Sequence, residues 1–317
     1  MTFTLAKAAI VGATGPTGVH LAAALRAAGI GVRAVARNPT SLARLFPGDA
    51  IEKVPADALD AEAIARAIDG CELAVDCIGL PAGAMGDHAR TATAIAAALR
   101  RTGARGLQVS SYWAYLPVQR LPLDEGHPRE GGNAYIAARR AAEDILAEAG
   151  AAIVHLPDFF GPFVHTSMLQ QPLADAAKGR AMNWVGSRSL VREFIFVPDA
   201  MRLVAALARR PESYGQHWAF PGAGPLTGPQ AAAIASTHLG RPVKLRTAGS
   251  VLLRLVSLFN RDLRDFLPML PHYLRPMRYD AGKLARLLGP IELTPYEKTI
   301  PATLDWLRGA PTAPIRG

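Results

Sequence analysis

The chain has 317 residues, half of them hydrophobic, and a formal net charge of +9 at neutral pH. This length and composition can bury a substantial core and suit one large or two smaller domains. The charge permits nucleic-acid binding, but the arginines are dispersed and no helix-turn-helix, zinc-finger or aromatic RNA-binding signature accompanies them, so we expect no nucleic-acid partner.

The first predicted unit is a strand from Lys7 to Val11, a glycine-rich turn, a helix from Thr17 to Ala28 and a strand from Val32 to Ala36. Without a Cβ, Gly12 can take a tight turn, Gly15 lets backbone N–H groups approach a pyrophosphate and Gly18 lets the helix pack close to the strand. The pattern predicts a dinucleotide cradle, although such turns also occur in ordinary αβ connections. Its candidate cofactor residues are Gly12, Thr14, Gly15, Pro16, Thr17 and Gly18.

The residues after the second strand bear on which dinucleotide binds. An acidic residue there accepts hydrogen bonds from the ribose of NAD, whereas an arginine neutralises the 2′-phosphate of NADP. Arg37 therefore favours NADP over NAD, with Arg33 and Asn38 as weaker helpers, unless Arg37 only caps a surface turn. After the third strand, Asp57 is a candidate for the adenine edge, and Asp60 is as easily explained as a helix N-cap.

Strands and helices continue to alternate along the chain. The further predicted strands are Ile51 to Val54, Leu73 to Ile78, Gly106 to Ser110 and Ala152 to Leu156, and the helices are Ala61 to Ile68, Asp87 to Arg101 and Ala134 to Ala149. This order predicts an α/β protein with a doubly wound parallel (Rossmann) sheet. Because ligands lie at the carboxyl ends of such strands, Ile78, Gly79 and Pro157 join the candidate cofactor residues.

The pattern changes after Gly161 and Pro162. We expect residues 1–165 to form the dinucleotide-binding domain and residues 166–309 to form mainly a smaller C-terminal substrate lobe. Within it, residues 193–209 are expected to return to the Rossmann sheet as a strand (Glu193 to Val197) and a helix (Pro198 to Ala208). The segments expected in the lobe are Gln216 to Pro221, Gly228 to Leu239 and Leu252 to Leu270, and residues 310–317 read as a disordered tail.

Metal sites, disulfides and membrane spans are all disfavoured by the sequence. The two cysteines, Cys71 and Cys77, read as buried thiols, and the eight histidines show no ligand spacing, so we expect no metal. No apolar run approaches the ~20 residues that span a bilayer, and the N-terminus does not read as a secretory signal. We therefore expect a cytoplasmic protein without a membrane partner.

Three further segments make the pattern specific. They are Val109-Ser110-Ser111-Tyr112-Trp113-Ala114-Tyr115, Asn133-Ala134-Tyr135-Ile136-Ala137-Ala138-Arg139-Arg140-Ala141-Ala142-Glu143 and Leu156-Pro157-Asp158-Phe159-Phe160-Gly161-Pro162. Together with the glycine turn, they resemble the extended short-chain dehydrogenase/reductase family, also called the NAD-dependent epimerase/dehydratase family. The resemblance spans roughly Lys7 to Asp199 and continues more weakly to Leu307.

The resemblance implies a Ser or Thr, a Tyr and a Lys acting together on a substrate hydroxyl or carbonyl. By position, Ser111 would orient the substrate and Tyr135 would exchange the proton, but Arg139 occupies the lysine position. Tyr135 and Arg139 lie one helical turn apart, so the cation can stabilise a tyrosinate, although arginine does not easily lose a proton. Ser110 is the alternative to Ser111, because neighbouring strand residues point oppositely.

Structural explanations also exist for these residues. Tyr135 could be a half-buried aromatic at the start of a helix, and Arg139 could be an exposed partner of Glu143. Aromatic residues crowd the segments expected around the nicotinamide and indicate an apolar or aromatic pocket, unless they belong to the core. They are Tyr112, Trp113, Tyr115, Phe159, Phe160, Phe163 and Trp184.

The sequence as a whole favours an NADP-dependent oxidoreductase or epimerase that transfers hydride between a nicotinamide and a carbonyl or alcohol carbon, with Tyr135 as acid or base. The alternative is an NADP-binding sensor or regulator resembling the NmrA-like proteins, with weak or no catalysis. The expected partner is a small, apolar or aromatic substrate. Either a monomer or a homodimer is consistent with the alanine-rich helices.

Overall fold

A computed structural model describes residues 5–80, 84–248, 264 and 267–309. The strands are β1 (Lys7–Val11), β2 (Gly31–Ala36), β3 (Glu52–Pro55), β4 (Leu73–Asp76), β5 (Arg105–Ser111), β6 (Ala152–Leu156), β7 (Phe159–Phe160), β8 (Met182–Val185), β9 (Arg192–Glu193), β10 (Ile195–Phe196), β11 (His217–Ala219), β12 (Pro225–Leu226) and β13 (Leu245–Ala248). The helices are α1 (Pro16–Ala27), α2 (Pro39–Leu45), α3 (Ala61–Ile68), α4 (Asp87–Thr102), α5 (Ala134–Glu148), α6 (Gln170–Ala177), α7 (Val197–Ala208), α8 (Gly228–Leu239), α9 (Leu270–Tyr273), α10 (Gly282–Leu288) and α11 (Tyr296–Leu307).

Seven parallel strands form the central sheet, in the order β11-β6-β5-β4-β1-β2-β3. The strand order reverses between β1 and β4, which is the topological switch point where such sheets bind ligands at their carboxyl ends. The predicted α/β, doubly wound fold is confirmed. The six strands predicted up to Leu156 are all present, with boundaries shifted by at most two residues.

Local sequence explains where several helices begin and end. Asn38, Asp60 and Asn133 cap α2, α3 and α5 by accepting hydrogen bonds from backbone N–H groups of the first turn. Helix α4 ends at Gly103, whose φ of 72° is the left-handed conformation that glycine adopts without strain. The cap at Asn133 fixes where α5 begins, and α5 is the helix that carries Tyr135 and Arg139.

Two expectations about the second half of the chain were wrong. Residues 193–197 do not join the main sheet, because Ile195 and Phe196 pair with the short strand β7 just beyond the end of β6. The edge position beside β6 is instead taken by β11, which lies within the segment Gln216 to Pro221 that we assigned to the lobe. Helix α7 does return to the domain, where Val204 and Leu207 share a core with Leu21 of α1.

Both faces of the sheet are covered by apolar clusters. One face packs under α1 and α7 and the other under α3, α4 and α5. A third cluster joins α6, α8, α11 and β8 into the smaller lobe. The expected lobe segment Leu252 to Leu270 lies mostly outside the described residues, as do residues 310–317. Within the described ranges, no helix has the length and apolarity to cross a bilayer.

Candidate active site

The glycine turn between β1 and α1 is shaped by two positions without room for a side chain. Gly12 has a φ of +82°, and a Cβ there would lie 2.9 Å from the carbonyl carbon of Cys77. A Cβ on Gly18 would lie 2.6 Å from the Cα of Ala13, so this glycine allows α1 to approach β1. Gly15 differs, because a Cβ there would make ordinary contacts with the carbonyl oxygens of Gly12, at 3.5 Å, and Cys77, at 3.9 Å.

The amino end of α1 presents backbone N–H groups beside this turn. The N–H of Val19 bonds to the oxygen of Gly15 at 3.0 Å, so the amides of Thr17 and Gly18 precede the intrahelical hydrogen bonds. Pro16 is the first helical residue, and the first turn contains no acidic side chain. The residues present therefore fit a diphosphate, since the positive end of the helix dipole is not neutralised by the protein.

The end of β2 leaves Arg37 free for a ligand. Its side chain is exposed, and no hydrogen bond or ion pair to another described residue holds it. The expected helpers have other roles: Arg33 pairs with Glu52 at 2.9 Å, and the Asn38 side chain accepts from the Ser41 N–H at 3.1 Å. Arg37 is therefore the residue of this segment that can reach a phosphate without breaking a protein contact.

The two aspartates after β3 are accounted for locally. Asp57 is exposed and accepts a hydrogen bond from the Leu59 N–H at 3.0 Å. Asp60 accepts from the Ala63 N–H at 3.0 Å and is the N-cap of α3. The capping explanation of Asp60 is confirmed, and an adenine contact of Asp57 stays a prediction.

The end of β4 carries a buried carboxyl. Asp76 accepts from the Ile78 N–H at 2.9 Å and from Nε2 of Gln108 at 3.1 Å. Burial raises the pKa of Asp76, against the effect of these hydrogen bonds. Gly79 is exposed beyond it, and Pro157 is buried after β6. Ile78, Gly79 and Pro157, which we predicted to contact the cofactor, therefore follow strands at the carboxyl edge of the sheet.

The two serines at the end of β5 have different surroundings. Ser110 is buried, and its hydroxyl donates to a carboxylate oxygen of Glu143. Ser111 is half-buried, and its Oγ accepts from the Trp113 N–H at 3.3 Å. Since consecutive strand residues face opposite sides, Ser111 is the serine left towards the open edge.

Tyr135 lies in the first turn of α5. It is half-buried and packs against an apolar cluster that includes Tyr112, Ile136 and Met269. Tyr135 is therefore packed as a half-buried aromatic at the start of a helix, as the alternative explanation expected. This packing does not exclude a role in catalysis, because part of the side chain stays accessible.

Arg139 follows Tyr135 by one helical turn and is not the exposed partner of Glu143 that we considered. Its Nε is buried and has no hydrogen-bond partner in the described part of the chain. Burial lowers the pKa of Arg139, while the charges of Glu143 and Asp76 act in the opposite direction. The ion pair of Glu143 is made with Arg129, at 2.9 Å. Arg139 thus places a half-buried cation, with a buried Nε, near the carboxylates of Glu143 and Asp76.

Sequence reasoning missed a buried line of titratable groups beside these residues. Oε1 of Glu143 lies 3.6 Å from Nδ1 of His155, whose Nε2 lies 2.9 Å from Nδ1 of His217. Burial raises the pKa of Glu143 to about 7 and lowers that of His217 to about 4. One ligand atom from each of Glu143, His155 and His217 lies within 4.8 Å of the other two, while Glu143 and His217 approach opposite nitrogens of His155. The signal was present in the sequence, since His155 interrupts an otherwise apolar strand.

The aromatic residues expected to form a pocket divide into two groups. Four are fully buried core residues, namely Tyr112, Tyr115, Phe160 and Trp184. Three are partly exposed, namely Trp113, Phe159 and Phe163. Most of the expected aromatic pocket is therefore core, because these side chains pack between the sheet and the smaller lobe.

A known protein family resembles the part of the chain that contains this site. The model of the NAD(P)H-binding family matches residues 12–156. These residues form an NAD(P)H-binding domain. The domain contains the glycine turn and also Ser111, Tyr135 and Arg139. A comparison with curated proteins gives no match.

Solved structures share the fold of the whole chain, NAD(P)H-binding domain and lobe together. An epimerase from Methanothermobacter thermautotrophicus has a TM-score of 0.80 at 17% identity, covering 97% of this chain and 93% of its own. UDP-glucose 4-epimerase from Bifidobacterium longum, in complex with NAD+ and UDP, has a TM-score of 0.77 at 17% identity, covering 96% and 99%. A dTDP-glucose 4,6-dehydratase from Streptomyces venezuelae, with NAD bound, has a TM-score of 0.77 at 19% identity, covering 96% and 97%. The chain therefore has the NAD(P)-binding epimerase/dehydratase-type fold.

Proposed function

We propose that this protein is an NADP-dependent oxidoreductase or epimerase that acts on a carbonyl or alcohol carbon of a small molecule. The observation that carries the proposal is the position of Tyr135 one turn before the half-buried cation of Arg139, whose Nε has no hydrogen-bond partner among the described residues. Both lie on the helix that packs beside the end of β5, where Ser111 is partly accessible. A phenol, a cation and a hydroxyl are the groups needed to handle the proton of a substrate oxygen.

The cofactor site is proposed at the glycine turn and the end of β2. The amides of Thr17 and Gly18 would hold the diphosphate, and the unpaired guanidinium of Arg37 would hold the 2′-phosphate of NADP. When bound, the nicotinamide supplies or accepts hydride. Arg37 is the reason for preferring NADP to NAD.

Tyr135 would donate its proton to the substrate oxygen during reduction and accept one during oxidation. Arg139 would stabilise the tyrosinate through its charge, since a cation nearby favours the ionised phenol. Arg139 would not relay the proton itself, because a guanidinium does not deprotonate in proteins. Ser111 would donate a hydrogen bond that orients the substrate oxygen.

The surroundings support a substrate without a nucleotide diphosphate. The buried cation on the lobe side, Arg192, is 1% exposed and pairs with Asp158 at 2.9 Å, so its charge is already neutralised. The partly exposed Trp113 packs against the same apolar cluster as Tyr135 and would give an apolar surface beside it. The structural neighbours that bind UDP or thymidine nucleotides would then differ from this protein in substrate class.

The test combines Tyr135→Phe and Arg139→Lys with a panel of aldehydes and ketones, following NADPH absorbance. Tyr135→Phe should lower kcat by roughly 10²-fold or more, because a positioned acid or base contributes that much. Arg139→Lys should raise kcat, since an ammonium can exchange its proton. NADPH affinity should stay unchanged in both variants, which separates chemistry from cofactor binding.

A regulatory protein that binds NADP without catalysis is the second candidate. The guanidinium of Arg139 at the expected lysine position favours it, because this group cannot take part in proton exchange. NADPH binding with no turnover of any panel member, unchanged by either substitution, would support this second function and contradict the first.

A further inference from the structure

Four parts of the chain meet at the carboxylate of Glu143. The residue is 0% exposed and belongs to α5. Ser110 of β5 donates its hydroxyl to Oε1, and Arg129 of the preceding loop donates to Oε2 at 2.9 Å. His155 of β6 lies 3.6 Å from Oε1. A carboxylate at this depth is retained only with such partners, so it ties helix, loop and two strands together.

These contacts hold the end of β5 from both sides. The side chain of Ser110 is bonded to Glu143, and the carbonyl of Ser111 lies 3.3 Å from Nδ1 of His155. The other nitrogen of His155 is in turn fixed by His217, at 2.9 Å. The strand therefore cannot shift at Ser111 without breaking buried hydrogen bonds on the neighbouring residues.

The same carboxylate also fixes the helix. Glu143 follows Tyr135 by eight residues and Arg139 by four, so the three lie along one face of α5. We propose that Glu143 is a positioning residue, which holds α5 against the end of β5 so that Tyr135 and Ser111 address the same substrate oxygen. This inference rests on the proposed function.

The charge of Glu143 makes this anchor depend on pH. Burial raises the pKa of Glu143 to about 7, while the hydrogen bond from Ser110 and the charges of Arg129 and Arg139 oppose that rise. The titratable and charged groups facing it are listed here by element: Arg139 and Arg140 on its own helix, Arg129 on the loop, Tyr115 after β5, His155 on β6 and, behind His155, His217 on β11. Protonation as the pH falls through about 7 removes the charge that pairs with Arg129. We therefore expect kcat to decline on the acidic side of this value.

The experiment compares Glu143→Gln with Asp144→Asn. Asp144 is a matched control, since its side chain is 55% exposed and pairs with the same Arg129 at 2.8 Å, and among the described residues it has no hydrogen bond or ion pair to β5. The first readout is hydrogen exchange of residues 107–115, which needs no turnover. The second is the pH profile of kcat, together with NADPH affinity.

In Glu143→Gln, the backbone amides at the end of β5 should exchange hydrogen faster than in Asp144→Asn. The variant should also show a kcat about tenfold lower at pH 8, an unchanged NADPH affinity and no inflection near pH 7 in the pH profile of kcat. Ser110→Ala, which removes only the hydroxyl, should lower kcat and keep the inflection, and it carries the same comparison if Glu143→Gln does not fold. Exchange equal to that of Asp144→Asn would overturn the proposal, as would faster exchange with an unchanged kcat and pH profile. A wild-type protein that turns over no substrate would refute the proposed function, whereas the exchange comparison would still decide whether Glu143 holds β5.

Discussion

Arg192 donates from Nη2 to Oδ2 of Asp158 at 2.9 Å, and the two side chains are almost completely buried. The same nitrogen donates to the hydroxyl of Tyr112 at 3.0 Å, and Nη1 donates to the carbonyl of Tyr273 at 3.3 Å. The guanidinium also lies 4.9 Å from the centre of the Tyr273 ring. One ion pair thus joins the end of β6, the segment after β5 and α9 of the C-terminal half.

Removing Arg192 should destabilise the protein severely. Arg192→Ala would leave Asp158 charged and buried without its partner, which costs about 3–5 kcal/mol of the free energy of unfolding. Arg120→Ala is the control, because Arg120 pairs with Asp124 at the surface and such pairs contribute only about 0–1 kcal/mol. Urea unfolding of both variants checks the difference. Equal losses would show that Arg192 has no special part in joining the two halves.

Gly15 and Gly18 should respond in opposite ways to substitution by alanine. Gly18→Ala would place a Cβ 2.6 Å from the Cα of Ala13, so α1 must shift and stability should fall by about 1–3 kcal/mol. The Cβ in Gly15→Ala would make ordinary contacts with the oxygens of Gly12 and Cys77, at 3.5 and 3.9 Å, and should leave stability within about 0.5 kcal/mol. NADPH affinity should nevertheless fall at least tenfold in Gly15→Ala, because the Cβ would keep the diphosphate away from the backbone.

The measurements are urea unfolding without cofactor and a fluorescence titration with NADPH. Gly86→Ala is a control for the change itself, since a Cβ there meets no atom of the described residues within 4 Å and its φ is −61°. Full NADPH affinity in Gly15→Ala would place the diphosphate elsewhere.

Arg37 should discriminate between the two nicotinamide cofactors. Arg37→Ala should weaken NADPH binding by roughly tenfold or more, since a hydrogen bond between charged groups contributes about 1.5–3 kcal/mol. NADH affinity should not change, because NADH has no 2′-phosphate. Arg44→Ala removes another exposed arginine, on α2, and should affect neither cofactor. Equal losses of NADPH and NADH affinity in Arg37→Ala would contradict the assignment.

The first half of the fold followed from sequence because its signals are local. The apolar strand, the glycine turn and the helix caps at Asn38, Asp60 and Asn133 are each specified by a few neighbouring residues. Strand β11 was missed because it has only three residues, and its place depends on pairing with β6, more than sixty residues earlier. A short strand of this kind has no periodicity to detect.

The candidate site, too, could be predicted from the sequence only where its signals are local. Spacing alone placed Tyr135 and Arg139 on one helical face, but it did not distinguish Ser110 from Ser111, because strand register is a tertiary property. The sequence also could not predict that Nε of Arg139 is buried or that Glu143 approaches His155. Both arise from how α5 packs across β5 and β6, which no local pattern encodes.

His88 should make the stability of the protein fall at acid pH. Its side chain is 2% exposed, and burial, helped by the charge of Arg139, lowers its pKa to about 3, against the effect of Asp87. The unfolded chain binds this proton near pH 6.5, so the stabilisation from a neutral His88 is complete above that pH and is lost as the pH falls towards 3. In that window the residue contributes up to about 1.4 kcal/mol of unfolding free energy per pH unit.

The comparison that isolates this effect is His88→Gln, with urea unfolding measured at several values between pH 7 and pH 4. The variant cannot take up the proton, so its stability should fall less steeply than that of the wild type, by up to about 1.4 kcal/mol per pH unit. His165→Gln makes the same substitution at an exposed histidine and is the control for the change itself. Glu143 titrates in an overlapping range, but its contribution is common to all three proteins and cancels in the difference. If His88→Gln and the wild type lose stability in parallel, His88 accepts its proton in the folded protein and is not held neutral by burial.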